Sequence, residues 1–290
     1  MNYNFSEKDI NNAVKFYEKK LLSKYNATKD KKAIFIGGQP GAGKSVVSGK
    51  INEKKDYIPI DIDWFRMGHP RLNEILRDQP ENYANLTGDF AWRVKMQIID
   101  DFSKEGYNIM IDQTLRNANE QSKIAEKLVD RGYSNSIKVM CVKKEISYMS
   151  TVLRDENAAY RRNNGDKNAV PRPVPKEYHD SVVDKELPAS LNTLQSAKYK
   201  GKNLFTSVQL YDRSATCLLD TSVKNAMSGD ALKRRNGKAY SPKEIKELEN
   251  TIKGALDLKI LNNSKDLNEF DKEAKKTMSN VRGKSKGLSR

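Results

Sequence analysis

The chain has 290 residues and a formal net charge of +15, and 31% of its residues are charged while 37% are hydrophobic. This length allows a sizeable core without disulfides, and the composition is typical of a globular protein and not of a membrane protein. The sequence shows no apolar run long enough to span a bilayer and no signal peptide at the N-terminus, so we expect a cytoplasmic protein with no membrane contact.

The basic charge and the two cysteines give little support for nucleic-acid or metal binding. Basic residues are spread along the chain and thicken toward the C-terminus, with no stacking aromatic repeat or finger motif among them. A nucleic-acid partner is therefore not expected. Cys141 and Cys217 lie far apart in β-like runs and lack metal-ligand spacing, so we expect both to be packing residues in a reducing compartment.

The first predicted element is a helix over residues 9–25, where apolar residues recur at intervals of three and four. Short apolar runs then alternate with helical patterns along most of the chain. We predict strands at residues 33–38, 57–61, 108–112, 136–142 and 207–213, and helices starting near Lys44 and covering 90–104, 119–132 and 146–162. Such alternation is typical of a parallel sheet covered by helices on both faces, so the predicted fold class is α/β.

The segment GQPGAGKS matches the phosphate-loop pattern G-x-x-x-x-G-K-[ST] and lies between a predicted strand and a predicted helix. Its residues are Gly38, Gln39, Pro40, Gly41, Ala42, Gly43, Lys44 and Ser45. Glycines let backbone N–H groups surround the phosphates, and the helix that follows adds the positive end of its dipole. Lys44 supplies a cation, and Ser45 supplies a hydroxyl ligand for Mg²⁺. The sequence therefore predicts a P-loop NTPase or kinase-like sheet that binds ATP and Mg²⁺.

Two carboxylates, Asp61 and Asp63, follow the second predicted strand at the sheet edge where ligands bind in such folds. Either one is a candidate general base for an acceptor hydroxyl, and either one equally fits an N-cap of the next helix. His69, before a proline, is expected to be a structural turn residue.

The third predicted strand ends at Asp112, which resembles a Walker B carboxylate that binds Mg²⁺. Thr114 and Arg116 follow it closely and offer a hydroxyl and a planar cation to a polar or anionic acceptor. The spacing alone does not fix which molecule accepts the phosphate.

Two further arginines are candidates for neutralising a transferring phosphate, a task that cations supplied from a lid perform well. Arg154 lies on a predicted helix, and Arg172 lies between two prolines in the predicted loop 163–175. Proline on both sides stiffens the backbone that carries Arg172. Arg161 and Arg162 are competing choices.

Strand patterns stop near residue 222. We therefore predict a P-loop kinase domain over residues 1–222 and a polar helical extension over residues 223–290, with Ser241 as a helix N-cap. The last ten residues, VRGKSKGLSR, are expected to be a disordered basic tail.

Taken in order and spacing, several separated motifs resemble the zeta toxins of bacterial toxin–antitoxin systems. They are GGQPGAGKS, D-x-D-x-F-R-x-x-H-P, EGYNIMIDQTLR, SYMSTVLR and AVPRPVPKEYHDSVV, and the match runs from about residue 4 to residue 215. The family consists of P-loop kinases that transfer the ATP γ-phosphate to the 3′-hydroxyl of the sugar in UDP-N-acetylglucosamine, which blocks the supply of cell-wall precursors. The resemblance implies the same activity here, on that compound or a related UDP-sugar.

The resemblance also implies roles for individual residues. Lys44 and Ser45 would hold ATP and Mg²⁺, with Asp112 as a second metal ligand, and Asp63 would be the catalytic base. Arg154 and Arg172 match the pair that clamps the transferring phosphate. The acceptor would contact Asp63, Arg66, Asp112, Thr114 and Arg116. Asp61 remains as a structural carboxylate.

Two departures concern the acceptor pocket. The family often has Glu-Gly-Thr where this chain has Asp112, Gln113 and Thr114, and Met96 stands where some members have a substrate-facing glutamate. The resemblance further implies an antitoxin protein that inserts a helix over the ATP site. Two alternatives stay open: a P-loop phosphotransferase for a different small hydroxyl compound, and a nucleotide-dependent switch that binds nucleic acid.

Overall fold

The computed structural model describes residues 3–166 and 169–286. Its strands are β1 (Lys32–Gly37), β2 (Ile58–Asp61), β3 (Ile109–Asp112), β4 (Ser134–Met140), β5 (Lys198–Tyr199), β6 (Lys202–Asn203), β7 (Val208–Tyr211) and β8 (Cys217–Asp220). Six of them form one sheet in the order β2-β3-β1-β4-β7-β8, and β5 and β6 form a separate hairpin. All neighbours in the six-stranded sheet are parallel except β7 and β8. The five predicted strands are confirmed, and β8 adds an antiparallel edge.

The helices in the described part of the chain are α1 (Glu7–Leu22), α2 (Lys44–Ile51), α3 (Ile62–Arg66), α4 (Leu72–Asp78), α5 (Tyr83–Leu86), α6 (Gly88–Lys104), α7 (Ala118–Asp130), α8 (Lys144–Asn163), α9 (Lys176–Ser181), α10 (Leu187–Ser196), α11 (Ser228–Gly237), α12 (Pro242–Leu261) and α13 (Leu267–Lys286). A short π-helical segment, Val182–Glu186, joins α9 to α10. The predicted helices are present with shifted ends, and the α/β class is confirmed.

Alternating side chains of the central strand β1 divide the core between the two faces of the sheet. Ala33 and Phe35 pack in the larger cluster with residues of α1, α6, α7 and α10. Ile34 and Ile36 point to the other face and pack with Met110 and Ile51. Next to them, residues of α2, α8, α12 and α13 form a further apolar cluster. The sheet is therefore covered by helices on both sides.

The helices after residue 222 are docked on the rest of the chain. Leu248, Ile252 and Ala255 of α12 lie in the same apolar cluster as Ala42 of the glycine-rich loop and Val47 of α2. Ser241 caps α12 through a reciprocal capping box with Glu244, as predicted. The division of the chain at residue 222 stays a prediction.

Two expectations from the sequence are wrong. Residues 281–286 belong to α13, and Val281 is 1% exposed, so this part of the tail is helical because an apolar side chain anchors it. Residues 287–290 lie outside the described residues. Cys141 is buried as expected, but Cys217 is exposed because it lies on the edge strand β8. Among the described helices, none is both long and apolar enough to cross a membrane.

Candidate active site

The phosphate-loop motif forms a tight turn between β1 and α2, with positive φ at Gly38, Gly41 and Gly43. Gly41 has φ +74°, and a Cβ atom built on it would lie 2.0 Å from the carbonyl oxygen of Ser147 on α8. Only glycine fits there, because a side chain would be strained and would collide with backbone. The backbone N–H groups of Gly43, Lys44 and Ser45 donate to no backbone carbonyl within the described ranges. They are free to bind an anion at the N-terminus of α2.

Side-chain hydrogen bonds hold this loop against α8 and α9. The Gln39 amide donates to the carbonyl of Val142 at 2.8 Å and to Ser147 Oγ at 3.2 Å. Ser147 Oγ also lies 2.9 Å from Nε2 of His179, whose Nδ1 lies 3.3 Å from Asp180 Oδ1. His179 is fully buried, and its pKa is lowered because burial disfavours the charged ring. These contacts fix the position of the loop relative to α8 and α9.

Asp61, the last residue of β2, and Asp63 make different contacts, which their spacing alone did not predict. Asp61 Oδ1 accepts the N–H of Asp63 at 2.9 Å and caps α3. The Asp63 carboxylate instead accepts hydrogen bonds from Arg66 Nε at 3.2 Å and from Arg172. Asp63 is 40% exposed, which leaves it accessible to a ligand. His69 is buried and accepts the N–H of Arg71, as expected of a structural turn residue.

The turn after β3 is built around Leu115, which is fully buried and has φ +56°. A non-glycine residue in this conformation is strained, and the packing of its side chain against the core compensates. Asp112, Thr114 and Arg116 line the cavity on either side of this anchor. Arg116 also lies over the Tyr178 ring, at 5.4 Å from its centroid.

The proline-bounded loop places Arg172 in hydrogen-bonding contact with Asp63. Arg154 lies near enough to both for their charges to act on it. Burial by surrounding protein, and then the charge of Arg172, lower the pKa of Arg154. Arg161 pairs with Asp166, and Arg162 donates to the carbonyl of Ala169 at 3.3 Å. These contacts tie Arg161 and Arg162 to the loop itself.

One cavity of about 360 Å³ brings Lys44 of the phosphate loop together with the residues predicted to contact the acceptor. Its walls include Lys44, Asp61, Asp63, Arg66, Asp112, Thr114 and Arg116. Lys44 Nζ lies 3.5 Å from Asp112 Oδ1. The structure therefore joins the phosphate loop to the acceptor candidates, whereas Arg154 and Arg172 do not line this cavity.

Three carboxylates meet at this end of the sheet, and their charges disfavour one another. Burial raises the pKa of Asp61 to about 6, and the charges of Asp112 and Asp63 contribute to the rise. Burial also raises the pKa of Asp112, against the opposing charge of Lys44. The described residues include no group of three or more His, Cys, Asp or Glu side chains that could hold a metal ion. A divalent cation at this place would instead be held by Asp112 and the Ser45 hydroxyl, and its charge would relieve the repulsion.

Sequence reasoning missed Lys95 and Gln113, which both line the cavity. Lys95 occupies a position in the apolar stripe of α6, next to Val94 and Ile98, and a lysine on a buried face was the available signal. Met96, by contrast, lines a neighbouring apolar cavity of about 260 Å³ together with Trp92.

Comparisons with known proteins agree with this architecture. The family model for zeta toxin matches residues 18–224. A toxin zeta of Streptococcus pyogenes is 29% identical over 270 residues, which cover 92% of this chain and 89% of the relative. A toxin zeta of Enterococcus hirae is 30% identical over 78% of this chain and 76% of its own length.

A solved structure from a characterisation of the PezAT chromosomal toxin–antitoxin system of Streptococcus pneumoniae superposes with a TM-score of 0.77. The two chains are 26% identical, and the match covers 89% of this chain and 99% of the other. Because the family model spans more than half of the sequence and the fold agrees over nearly the whole chain, this protein belongs to the zeta toxin family and has its P-loop kinase-like fold.

Proposed function

We propose that this protein is a toxin kinase that transfers the γ-phosphate of ATP to a hydroxyl of a nucleotide sugar, with the 3′-hydroxyl of UDP-N-acetylglucosamine as the leading acceptor. The observation that carries the proposal is the single cavity into which Lys44 of the phosphate loop and Asp63 beyond β2 both open. A kinase requires a base within reach of a hydroxyl that also lies in line with a bound phosphate. Membership of the zeta toxin family supports the same activity.

The phosphate loop, Gly38–Ser45, would bind the triphosphate through its free N–H groups and the N-terminus of α2. Lys44 would move from Asp112 to the β- and γ-phosphates, since a bound phosphate offers it a stronger negative charge than one carboxylate does. Mg²⁺ would supply charge neutralisation when bound by Ser45 and Asp112.

The proposed transfer uses Asp63 as the general base. The acceptor oxygen forms a bond to the γ-phosphorus while the bond from that phosphorus to the bridging oxygen breaks, and ADP leaves. The hydroxyl proton passes to the Asp63 carboxylate. Arg66 holds this carboxylate in place through its hydrogen bond to Oδ1. Arg172 now pairs with Asp63, and with Arg154 it would neutralise the oxygens of the moving phosphate.

Thr114 and Arg116 would bind the sugar nucleotide, because both lie on the acceptor side of the cavity beyond Asp112. Since ATP and nucleotide sugars are cytoplasmic metabolites, we propose that the toxin acts in the cytoplasm. We also propose an antitoxin partner, in line with the toxin–antitoxin system named for the pneumococcal structure.

The test is a transfer assay with Mg²⁺-ATP and a panel of UDP-sugars, read by mass spectrometry as a gain of one phosphate. Asp63→Asn should abolish transfer, because the amide cannot take up the proton, while ATP binding by calorimetry is kept. Asp89→Asn, which alters an exposed carboxylate paired with Arg93, is the matched control and should transfer normally. Full transfer by Asp63→Asn, or a panel in which no UDP-sugar gains a phosphate, would refute the proposal.

A further inference from the structure

The floor of the candidate acceptor cavity carries a buried lysine that has no ionic partner. Lys95 is 3% exposed, and its Nζ donates one hydrogen bond, to Gln113 Oε1 at 3.2 Å. An ammonium group has three N–H donors. Within residues 3–166 and 169–286, no carboxylate oxygen comes within ion-pair distance of Lys95 Nζ. Two of its three donors are therefore unused.

The side chain of Gln113, which lines the same cavity, also has an unused hydrogen-bond donor. It follows Asp112 at the end of β3, and its backbone N–H donates to the carbonyl of Ile36 at 3.0 Å. Its side-chain oxygen accepts from Lys95, whereas its side-chain Nε2 is buried and has no acceptor among the described residues. Both side chains line the cavity, so they present unused donors to one space.

Such an arrangement is costly in the absence of a ligand. Buried lysines are almost always paired, because desolvation of an unpaired charge costs several kcal/mol. Glu120, Asp112 and Asp61 attract Lys95 from a distance, but burial dominates and lowers its pKa. An oxygen that carries negative charge would give these donors a partner.

The position of Lys95 on α6 directs its side chain toward the core and not toward solvent. Its neighbours at helical spacing, Ala91, Ile98 and Ile99, are buried on the core face of the helix. Arg93 and Lys104 of the same helix have exposed side chains that pair with Asp89 and Asp100. The one basic residue of α6 on the core face is the one that reaches the cavity.

We propose that Lys95 and Gln113 bind an anionic oxygen of the acceptor, so that the acceptor is a hydroxyl compound with a phosphate or carboxylate group at the cavity floor. This inference rests on the proposed kinase function and adds the two residues that would bind the charged group of its acceptor. A nucleotide sugar meets the requirement through its diphosphate, and so does a sugar phosphate. A neutral sugar does not.

The experiment measures steady-state kinetics with UDP-N-acetylglucosamine, N-acetylglucosamine 1-phosphate and neutral N-acetylglucosamine as acceptors. Lys95→Met keeps the length and apolar stem of the side chain but removes the charge. We expect the KM for the two anionic acceptors to rise roughly ten- to hundredfold, as expected for the loss of a charged hydrogen bond. The KM for the neutral sugar and the Kd for ATP should stay unchanged. Lys104→Met on the same helix is the matched control and should behave like the wild-type protein.

A second variant distinguishes the loss of an acceptor contact from a folding defect. Gln113→Met removes the amide and leaves the ammonium group, and it should raise the KM for anionic acceptors by a smaller factor. Thermal melts of both variants should match the wild type or exceed it, because Lys95→Met removes an unpaired buried charge. An unchanged KM for the anionic acceptors in Lys95→Met, or an equal rise for the neutral sugar, would overturn the inference.

A binding assay separates this inference from the proposed function. Calorimetry with glycerol 3-phosphate and with citrate, on Asp63→Asn loaded with a non-hydrolysable ATP analogue and Mg²⁺, requires no transfer and distinguishes phosphate from carboxylate. Binding of either probe that is lost in Lys95→Met supports the inference even if no UDP-sugar is phosphorylated. If UDP-sugars are phosphorylated with the same KM in Lys95→Met as in the wild-type protein, the kinase proposal stands and this inference is overturned.

Discussion

Removal of the buried ammonium group of Lys259 should destabilise the docking of α12 on α8. Lys259 Nζ lies 2.7 Å from Glu156 Oε1, and the side chains are 4% and 11% exposed. It also contacts Asp266, which is 57% exposed. Burial lowers the pKa of Lys259, but its hydrogen bonds to Asp266 and Glu156 outweigh this effect and raise it overall. The ammonium is therefore charged at neutral pH.

The cost of Lys259→Met follows from what the substitution leaves behind. Methionine fills a similar volume, so no cavity term arises, but the Glu156 carboxylate is left buried without its cation. Breaking a buried pair typically costs about 3–5 kcal/mol. Glu156 retains donors from Asn262 at 2.8 Å and Ser264 at 2.9 Å, and the lost contact with exposed Asp266 adds at most about 1 kcal/mol. We expect the free energy of unfolding to fall by about 2–4 kcal/mol.

A double-mutant cycle measured by urea unfolding at pH 7.5 isolates the pair. Glu156→Gln keeps an acceptor for Asn262 and Ser264, so the double variant with Lys259→Met should lose less than the sum of the single losses, by about 2 kcal/mol or more. Lys275→Met removes an exposed ion pair with Asp271 and should cost less than about 0.5 kcal/mol. A loss below about 1 kcal/mol for Lys259→Met, or strict additivity in the cycle, would refute the reasoning.

Two further predictions concern the site itself. The pKa of Asp61 is raised from 3.8 to about 6, so its ionisation destabilises the fold as pH rises from about 4 to about 6 and above. Asp61→Asn, whose Oδ1 can still cap α3, should raise the free energy of unfolding by about 1–3 kcal/mol at pH 8 and by almost nothing near pH 4; an equal gain at both pH values would contradict this. Gly41→Ala should cost about 2–4 kcal/mol in unfolding measurements and weaken ATP binding, because its Cβ would lie 2.0 Å from the Ser147 carbonyl oxygen. Gly49→Ala, with nothing within 4 Å, should stabilise α2 by about 0.5–1 kcal/mol.

Local patterns made the sheet and the phosphate loop predictable. The central strand β1 is a short, mostly apolar run, and the glycines of GQPGAGKS permit the positive φ angles that the turn requires. The distinction between Asp61 and Asp63 was not predictable from the residues alone, because both positions fit a helix cap. It depends on Arg172, which is 109 residues away in the sequence from Asp63 and reaches it only through tertiary packing.

Lys95, which lines the cavity, was missed for a related reason. A lysine in a helix is usually assigned to solvent, and only its place among Val94 and Ile98 of the apolar stripe argued otherwise. Leu115 was equally hidden, since no sequence rule assigns positive φ to a leucine. These two residues deviate from ordinary preferences beside the candidate site, where such deviations are expected to concentrate.

The C-terminal helices are connected to the nucleotide site through Arg213. Its guanidinium donates to the carbonyl of Gly41 in the phosphate loop, to Ser150 Oγ on α8 at 2.9 Å, and to Glu247 on α12 at 2.6 Å. Arg213 supplies the carbonyl of Gly41 with a charged donor, and Glu247 supplies the guanidinium with a counterion, so each contact supports the other. The loop that must bind phosphate is thereby fixed by α8 and α12 together. Hence the region after residue 222, polar as its sequence is, contributes to the geometry of the phosphate loop.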